Sequence, residues 1–386
     1  MKGLQMKGLQ MKRVVFVLIV LTAGLCFFIV AGCKVRGQNT DTLPEAAHLP
    51  GPVVADTIKP AAAYSLEEYF PITENTLYKY VGIGSDTLNQ EMFNIYTSGK
   101  GAQAFVSTGE QRVTDVYRFE DGMLKVIFSS FNYFYDNLLD TVDIKRMTVL
   151  QEPLELGQTW VYDSEGAISE VTNLSAKTSV PLGEFETLEI TTTHHDLIRR
   201  DYYAPGVGLV QTIYDLGNSI ISSDLSEIVR NTSKKVEADF CMVNTTLDKL
   251  EYEKRPLLLS TNMDFTGTLN SALKEPLPMD YQPLLPGESV IRSLAVNWYE
   301  VLLTVDLSED YVRNLGVGAG TESDILQALA NTLGNIYIPG DDLIRNVELL
   351  INGNRYESGH ILRHEGEYWE VLPVVYHGSE SYQPGS

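Results

Sequence analysis

Leu303-Thr304-Val305-Asp306-Leu307-Ser308, followed at Glu322 by Glu322-Ser323-Asp324-Ile325-Leu326-Gln327-Ala328-Leu329-Ala330-Asn331-Thr332-Leu333, is the stretch on which the fold turns. Val301, Leu303, Val305 and Leu307 alternate, which predicts a strand over Tyr299 to Leu307 with one apolar face. Val290 to Val296 reads as its hairpin partner. Thr321-Glu-Ser-Asp324 supplies N-capping chemistry for a helix. That helix carries Ile325, Leu326, Leu329, Leu333 and Ile336 on one stripe. On the N-terminal side, Met263 to Leu273 reads as a short helix stopped by Pro276 and Pro278. On the C-terminal side, Val347 to Ile351 reads as a buried strand that turns at Asn352-Gly353. The order is helix, strand, strand, helix, strand, which predicts a small α/β sandwich with two helices on one face of a sheet.

Upstream the periodicity changes. From Ser65 to Ile228 it is two, with aromatic and β-branched residues between turn signals and no helical stripe. Tyr117 and Phe119 alternate before the Asp121-Gly122 turn, and Leu124, Val126 and Phe128 alternate after it. Glu74-Asn-Thr-Leu-Tyr78-Lys-Tyr80 is echoed about 80 residues on by Gly157-Gln-Thr-Trp160-Val-Tyr162, as in a duplicated meander. Pro181-Leu-Gly183 to Ile190, with Tyr202-Tyr-Ala-Pro-Gly206-Val-Gly208-Leu-Val210, resembles a motif pair of secreted bacterial β-modules. The second segment reads as a strand, a Pro-Gly turn and a return strand. The whole chain is therefore expected to be α+β, an all-β antiparallel meander or half-barrel over 65–228 followed by the small sandwich. Arg230 to Glu237 is polar and reads as the joint between them.

Leu273-Lys-Glu-Pro276, Leu285-Pro-Gly287-Glu, the Asp306-Leu307-Ser308 strand end, the Asn331-Thr332-Leu333 helix and Val347-Glu-Leu-Leu-Ile-Asn352-Gly353 stand in one order. That order resembles the sporulation and spore germination (GerMN-type) domain, over residues 237–375. The resemblance implies an exported protein, often a lipoprotein of Gram-positive bacteria, with no known catalytic activity and a core similar to ring-building motifs of envelope complexes. The sequence holds one such domain and a β-module where the founding member has a tandem pair.

The N-terminus fits export. A repeated Met-Lys-Gly-Leu-Gln leaves Met1, Met6 or Met11 as the start. Lys12 and Arg13 precede an uncharged apolar run from Val14 to Val30. Val30-Ala31-Gly32-Cys33 resembles a lipobox, which implies acylation of Cys33 (palmitate among its acyl chains) and removal of residues 1–32; an uncleaved span is the other reading. Residues 33–64, with Pro44, Pro50, Pro52 and Pro60, read as a tether, and 376–386 as a tail. The expected location is the outer face of the cytoplasmic membrane, held through N-terminal acyl chains.

The chain has 386 residues, 29 basic against 51 acidic, for a formal charge of −22. Cleavage would discard four basic residues and no acidic one, leaving −26. Such a body repels phosphate backbones, so nucleic acid is excluded as a partner. Three cysteines exclude a disulfide scaffold. Cys241, in the apolar run Phe240-Cys-Met-Val243, reads as a core residue.

No catalytic, metal or cofactor constellation is expected. His194 and His195, adjacent on a strand, would point to opposite faces. His360 and His364 with Glu365 have metal-helix spacing. Gly359 and Gly366 make that segment a strand instead, with the rings about 13 Å apart at ~3.3 Å per residue. Gly316-Val-Gly-Ala-Gly320 lacks the Lys-Ser/Thr of a phosphate loop. Glu67-Glu68 and Asp341-Asp342 read as solvated surface, and Asp306 and Ser308 as the end of a strand and the cap of the next turn. The protein reads as a non-enzymatic envelope lipoprotein that binds envelope proteins, peptidoglycan or a second copy of itself. The alternative is a ligand-binding or sensing lipoprotein whose pocket is lined by Phe128-Ser-Ser-Phe131-Asn-Tyr133-Phe134-Tyr135.

Overall fold

The structure is a computed structural model and describes residues 65–108, 111–132, 134–141, 147–297, 299–337 and 344–374. The signal segment, the lipobox with Cys33, the tether, the tail and Asp341-Asp342 lie outside these residues.

A single helical turn, α1 (Leu66–Tyr69), comes first, and Ser65 and Glu68 close a capping box on it. Twelve strands follow: β1 (Thr76–Ile83), β2 (Gln90–Ser98), β3 (Gly101–Thr108), β4 (Gln111–Glu120), β5 (Met123–Phe131), β6 (Met147–Gln151), β7 (Thr159–Val161), β8 (Ile168–Val180), β9 (Gly183–His194), β10 (Leu197–Ala204), β11 (Gly208–Asp215) and β12 (Ile220–Arg230). They make one antiparallel sheet in the order β6-β5-β4-β3-β2-β1-β12-β11-β10-β9-β8-β7. Each half is a six-strand meander, and the halves join where β1 pairs with β12. The two echoed aromatic segments fall at β1 and β7, the first strand of each half. Nearly closed, the sheet brings its two end strands together: Thr148 N donates to Tyr162 O at 2.7 Å, and the Trp160 indole donates to Thr148 O at 2.9 Å. The inner faces of β3 and β4 pack on those of β8 to β10 in one core that includes Val106, Tyr117, Trp160, Leu188 and Tyr203.

Turn chemistry places the hairpins. Asp121 and Gly122 both have positive φ, 53° and 66°, as the tight turn between β4 and β5 requires. Pro205 and Gly206 turn the chain from β10 to β11.

The C-terminal part opens with a long hairpin, β13 (Lys234–Asn244) and β14 (Lys249–Leu259), which with β15 (Tyr281–Gln282) forms a three-stranded sheet. The polar segment expected as a joint is thus already strand from Lys234. Lys235 and Glu237 face outward while Lys234, Val236, Ala238 and Phe240 alternate inward. Helix α2 (Phe265–Leu273) precedes a second sheet of β16 (Ile291–Asn297), β17 (Leu302–Leu307), β18 (Asn346–Ile351), β19 (Asn354–Arg355) and β20 (Trp369–Glu370). β17 and β18 are parallel, joined through α3 (Asp310–Leu315) and α4 (Ala319–Tyr337). The predicted order is present, but two helices on one sheet face is incomplete as a description. α4 packs against β13 as well as β18 and β20 and is buried nearly all round. β17 starts at Leu302, not at Tyr299, because Val301 takes a positive φ of 54° in a turn. α4 starts two residues before Thr321, so of the expected capping residues Thr321 and Glu322 sit within its first turn and Ser323 and Asp324 follow in the next. The Asn352-Gly353 turn is present, with φ of 51° and 78°. The protein is mostly β, α+β overall.

Candidate functional site

The joint between the two parts is built from both. Gln103 on β3, fully buried, donates to Phe134 O at 2.7 Å and accepts from Leu138 N at 2.8 Å. That grip fixes the loop after β5, and Tyr96 OH holds Tyr135 O at 2.8 Å. Tyr135 is thereby pushed into the C-terminal core, where its ring stacks on Phe265 and meets the edge of Tyr337. One hydrophobic cluster runs from Ile95, Tyr96, Phe105 and Tyr135 through β13, α2 and α4. Around it Asn75 N donates to Thr261 Oγ1 at 2.8 Å and Asn75 Oδ1 accepts from Thr261 N at 2.9 Å. Lys234, buried on β13, reaches Glu91 on β2.

The aromatic segment 128–135 therefore serves the joint and its own loop. Phe128 packs on the edge of Phe134, and Phe131 is exposed. Tyr133 lies outside the described residues. A separate cavity, lined by residues that include Phe70, Tyr78, Tyr80, Met92, Tyr117 and Tyr203, has a volume of about 20 Å³, room for one water.

Inside the sheet, the inward alternation of β10 carries Leu197, Arg199, Asp201 and Tyr203. Arg199 Nε donates to Asp201 Oδ2 at 2.8 Å, its Nη1 donates to Tyr162 OH at 3.2 Å, and Thr212 donates to Asp201 Oδ1 at 2.7 Å. Burial is the largest single influence and works against the Arg199 charge, but Asp201 together with Tyr162, Tyr214 and Tyr203 outweighs it and raises the pKa further above its usual range. The strict alternation made this pair legible, though sequence reasoning passed over it.

The two histidine pairs differ in setting. His195 lies in the turn after β9 with φ of 50°, so the His194 and His195 rings stand side by side with centroids 4.2 Å apart. The expectation of opposite faces fails because the strand ends between them. His360 and His364 lie in an irregular loop with one isolated bridge, Glu357 to Leu362, and not on a strand. Ser358 and Glu367 side chains take up their backbone N–H groups. Among the described residues no group of three or more His, Cys, Asp or Glu could hold a metal. Burial pushes the Cys241 thiol up to about 11, against hydrogen bonds from Asn331 and Tyr252, which leaves it protonated and inert.

In the second sheet Asp306 and Ser308 clamp neighbours and do not cap a turn. Asp306 accepts from Gly353 N at 2.7 Å and from Arg292 at 3.0 Å, while Ser308 Oγ accepts from Val290 N at 3.1 Å. Glu322, expected as a helix cap, is 3% exposed and accepts from Tyr356 OH at 2.8 Å. β16 forms the outer edge of this sheet. Asn270 on α2 covers its first residue with a reciprocal pair of hydrogen bonds to Ile291. From Arg292 to Asn297 no strand lies along its outer side among the described residues.

Residues 240–357 match the family model described as Germane: sporulation and spore germination. The C-terminal part is a GerMN-type domain. The match begins on β13 and ends beyond β19, so the GerMN-type domain includes the hairpin strand that packs on α4. No curated protein matches the chain. Among solved structures, a protein of YmcC-like fold described as exported, from Bacteroides fragilis, is 13% identical, with 42% of this chain and 98% of that one covered and a TM-score of 0.26. The tandem GerMN domains of the sporulation protein GerM from Bacillus subtilis are 17% identical, with 32% of this chain and 41% of that one covered and a TM-score of 0.24. A protein described as a lipoprotein, from Parabacteroides distasonis, is 14% identical, with 42% of this chain and 98% of that one covered and a TM-score of 0.23. Scores this low fix neither fold nor function.

Proposed function

We propose that this protein is a non-enzymatic, extracytoplasmic lipoprotein, anchored to the outer face of the cytoplasmic membrane through Cys33, whose GerMN-type domain binds envelope proteins or cell wall in sporulation or germination. The observation that carries the reading is the outer edge of β16. Its unpaired backbone from Arg292 to Asn297 offers hydrogen-bonding groups to an added strand, and side chains on alternate faces would give selectivity. The joint supports it too, because a shared core holds that edge in a set direction relative to α1, where the expected tether ends. The lipobox and the Pro-rich segment supply the anchor and the spacer of the same reading.

The test is light scattering after size exclusion of the full-length chain, with a peptidoglycan sedimentation assay and cross-linking in intact cells. Self-association, wall binding or a cross-linked envelope protein is the expected result. A monomer that leaves wall material in the pellet without it and yields no cross-linked partner overturns the proposal.

A further inference from the structure

The loop that closes the GerMN-type sheet carries a small polar notch. β19 ends at Arg355, the Glu357–Leu362 bridge folds the chain back, and Arg363 N donates to Tyr356 O at 3.2 Å. Trp369 then pairs with Val347 on β18. The result places the Arg363 guanidinium over the Trp369 ring, 4.1 Å from its centroid. Glu348, Arg355, Arg363, His364, Glu367 and Trp369 line the notch, whose volume is about 10 Å³.

Two N–H groups of these lining residues are orphaned. Arg363 Nε and Trp369 Nε1 are both buried with no hydrogen-bond partner among the described residues. Trp369 as a whole is 5% exposed. Buried donors are nearly always satisfied, so Arg363 Nε and Trp369 Nε1 call for an acceptor, and the notch has room for one oxygen atom of it. Arg363 also forms no ion pair among the described residues, in a chain with 51 carboxylates to choose from. Among the described residues the Arg355 side chain pairs only with Glu365 at 3.3 Å, a side chain 87% exposed and easily displaced.

We propose that this notch binds a carboxylate group presented by a partner. A planar mono-anion matches the fork of a guanidinium and can accept from an indole N–H at the same time. The stacking of Arg363 on Trp369 holds the fork in place before the ligand arrives, which reduces the ordering cost. Phosphate fits less well, because Glu348 and Glu367 lie in the same rim and repel a dianion more strongly than a mono-anion. The assignment stands apart from the partner-binding role proposed for β16, since small probes test it without any partner.

The test uses the full chain with its tryptophans labelled with 15N. Trp160, whose indole N–H is already bonded to Thr148 O, reports on folding, and Trp369 reports on the notch. The probes are N-acetyl-alanyl-alanine, its carboxamide, N-acetyl-glutamate amide and inorganic phosphate. A saturable shift of the Trp369 indole proton by one or both carboxylates at about millimolar concentration, with none from the carboxamide, is the expected result. The tighter of the two carboxylates tells a peptide C-terminus from an acidic side chain. Arg363→Gln should weaken binding at least about tenfold. Arg363→Lys should weaken it as well, since a lysine keeps the charge but not the fork. If Arg363→Gln disturbs the Trp160 signal, Arg355→Gln replaces it with the same expectation. No Trp369 shift with either carboxylate, tighter binding of phosphate, or unchanged binding in the arginine variants overturns the assignment.

Discussion

The ring of Tyr135 lies flat on that of Phe265, with centroids 4.2 Å apart and planes within 4° of each other. One residue comes from the loop after β5 and the other from the first turn of α2, so this contact fastens the twelve-stranded sheet to the GerMN-type domain. Phe265→Ala should cost about 3–5 kcal/mol, as deletion of a buried aromatic usually does. Because the core is shared, unfolding by denaturant should remain one transition for wild type and shift as a whole in the variant. Separate transitions for the two parts, with only one displaced, would contradict the shared core.

The Arg199–Asp201 pair makes a sharper prediction about the interior of the sheet. Arg199→Met leaves Asp201 buried without its counter-charge and should destabilise by about 3–5 kcal/mol. Arg199→Met with Asp201→Leu removes both charges and should recover most of that loss. Chemical denaturation of the single and double variants gives the comparison. A double variant as unstable as the single one would show that hydrogen bonds to Tyr162 and Thr212, and not the ion pair, carry the stability.

Cys241 should resist modification. With its thiol pushed up to about 11 and its side chain fully buried, reaction with a thiol reagent at pH 8 should occur only through unfolding. The thiol is harder to ionise in the folded state than in the unfolded chain. Its contribution to stability is therefore complete below about pH 9, the ordinary value, and is lost as pH rises through about 11. Labelling in the native state faster than global unfolding would refute the burial.

Glu251 shows the opposite sign. Hydrogen bonds from Lys249, Tyr281 and Asn244 hold its carboxyl down at about 2, against slight desolvation. The stabilisation is present above the ordinary carboxylate range and is lost as pH falls through about 2, and solvent exposure keeps it small. Tyr281→Phe deletes the 2.6 Å bond and should move the carboxyl back toward its usual range, which a carbon-13 titration reads directly. No movement would mean that Lys249 and Asn244 hold the charge without Tyr281.

Lipidation is tested at its expected residue. Metabolic labelling with an alkyne fatty acid should mark the wild-type chain and leave Cys33→Ala unmarked. Equal labelling of the two would remove Cys33 as the anchor.

Period and turn chemistry carried most of the architecture. The hairpin dipeptides Asp121-Gly122 and Asn352-Gly353, the apolar stripe of α4 and the alternation of β17 are local signals, and each element is present, with the starts of α4 and β17 displaced by two or three residues. What stayed hidden is non-local. Nothing near Tyr135 says that Phe265 will lie over it, 130 positions away. The closure of β6 on Tyr162 likewise depends on twelve strands twisting together. Charged strands mislead: Lys234 and Lys235 read as a linker because their alternation with Val236 and Ala238 is masked by charge. Glu322 reads as a cap because helix starts favour glutamate, and only Tyr356, folded over it from a later loop, turns it into a buried acceptor. The Arg363–Trp369 notch had a faint signal at most, an arginine and a tryptophan six residues apart in a segment otherwise notable for its histidines.

The reciprocal hydrogen bonds between Asn75 and Thr261 have a mechanical meaning. Asn75 lies just before β1, ten residues past Ser65 where the expected tether gives way to folded chain, and Thr261 lies between β14 and α2. A pull arriving along the expected tether first meets α1, whose Leu66 and Tyr69 are buried in the core of the large sheet and whose Glu68 O accepts from Gly206 N at 2.7 Å. It then meets this clasp, which passes it into the domain that carries β16. The sheet and the clasp then share the load at the chain's entry point. Force on the anchor would turn the β16 edge as one with the chain's entry point, so that direction of pull, and not extension of a linker, sets where the edge faces.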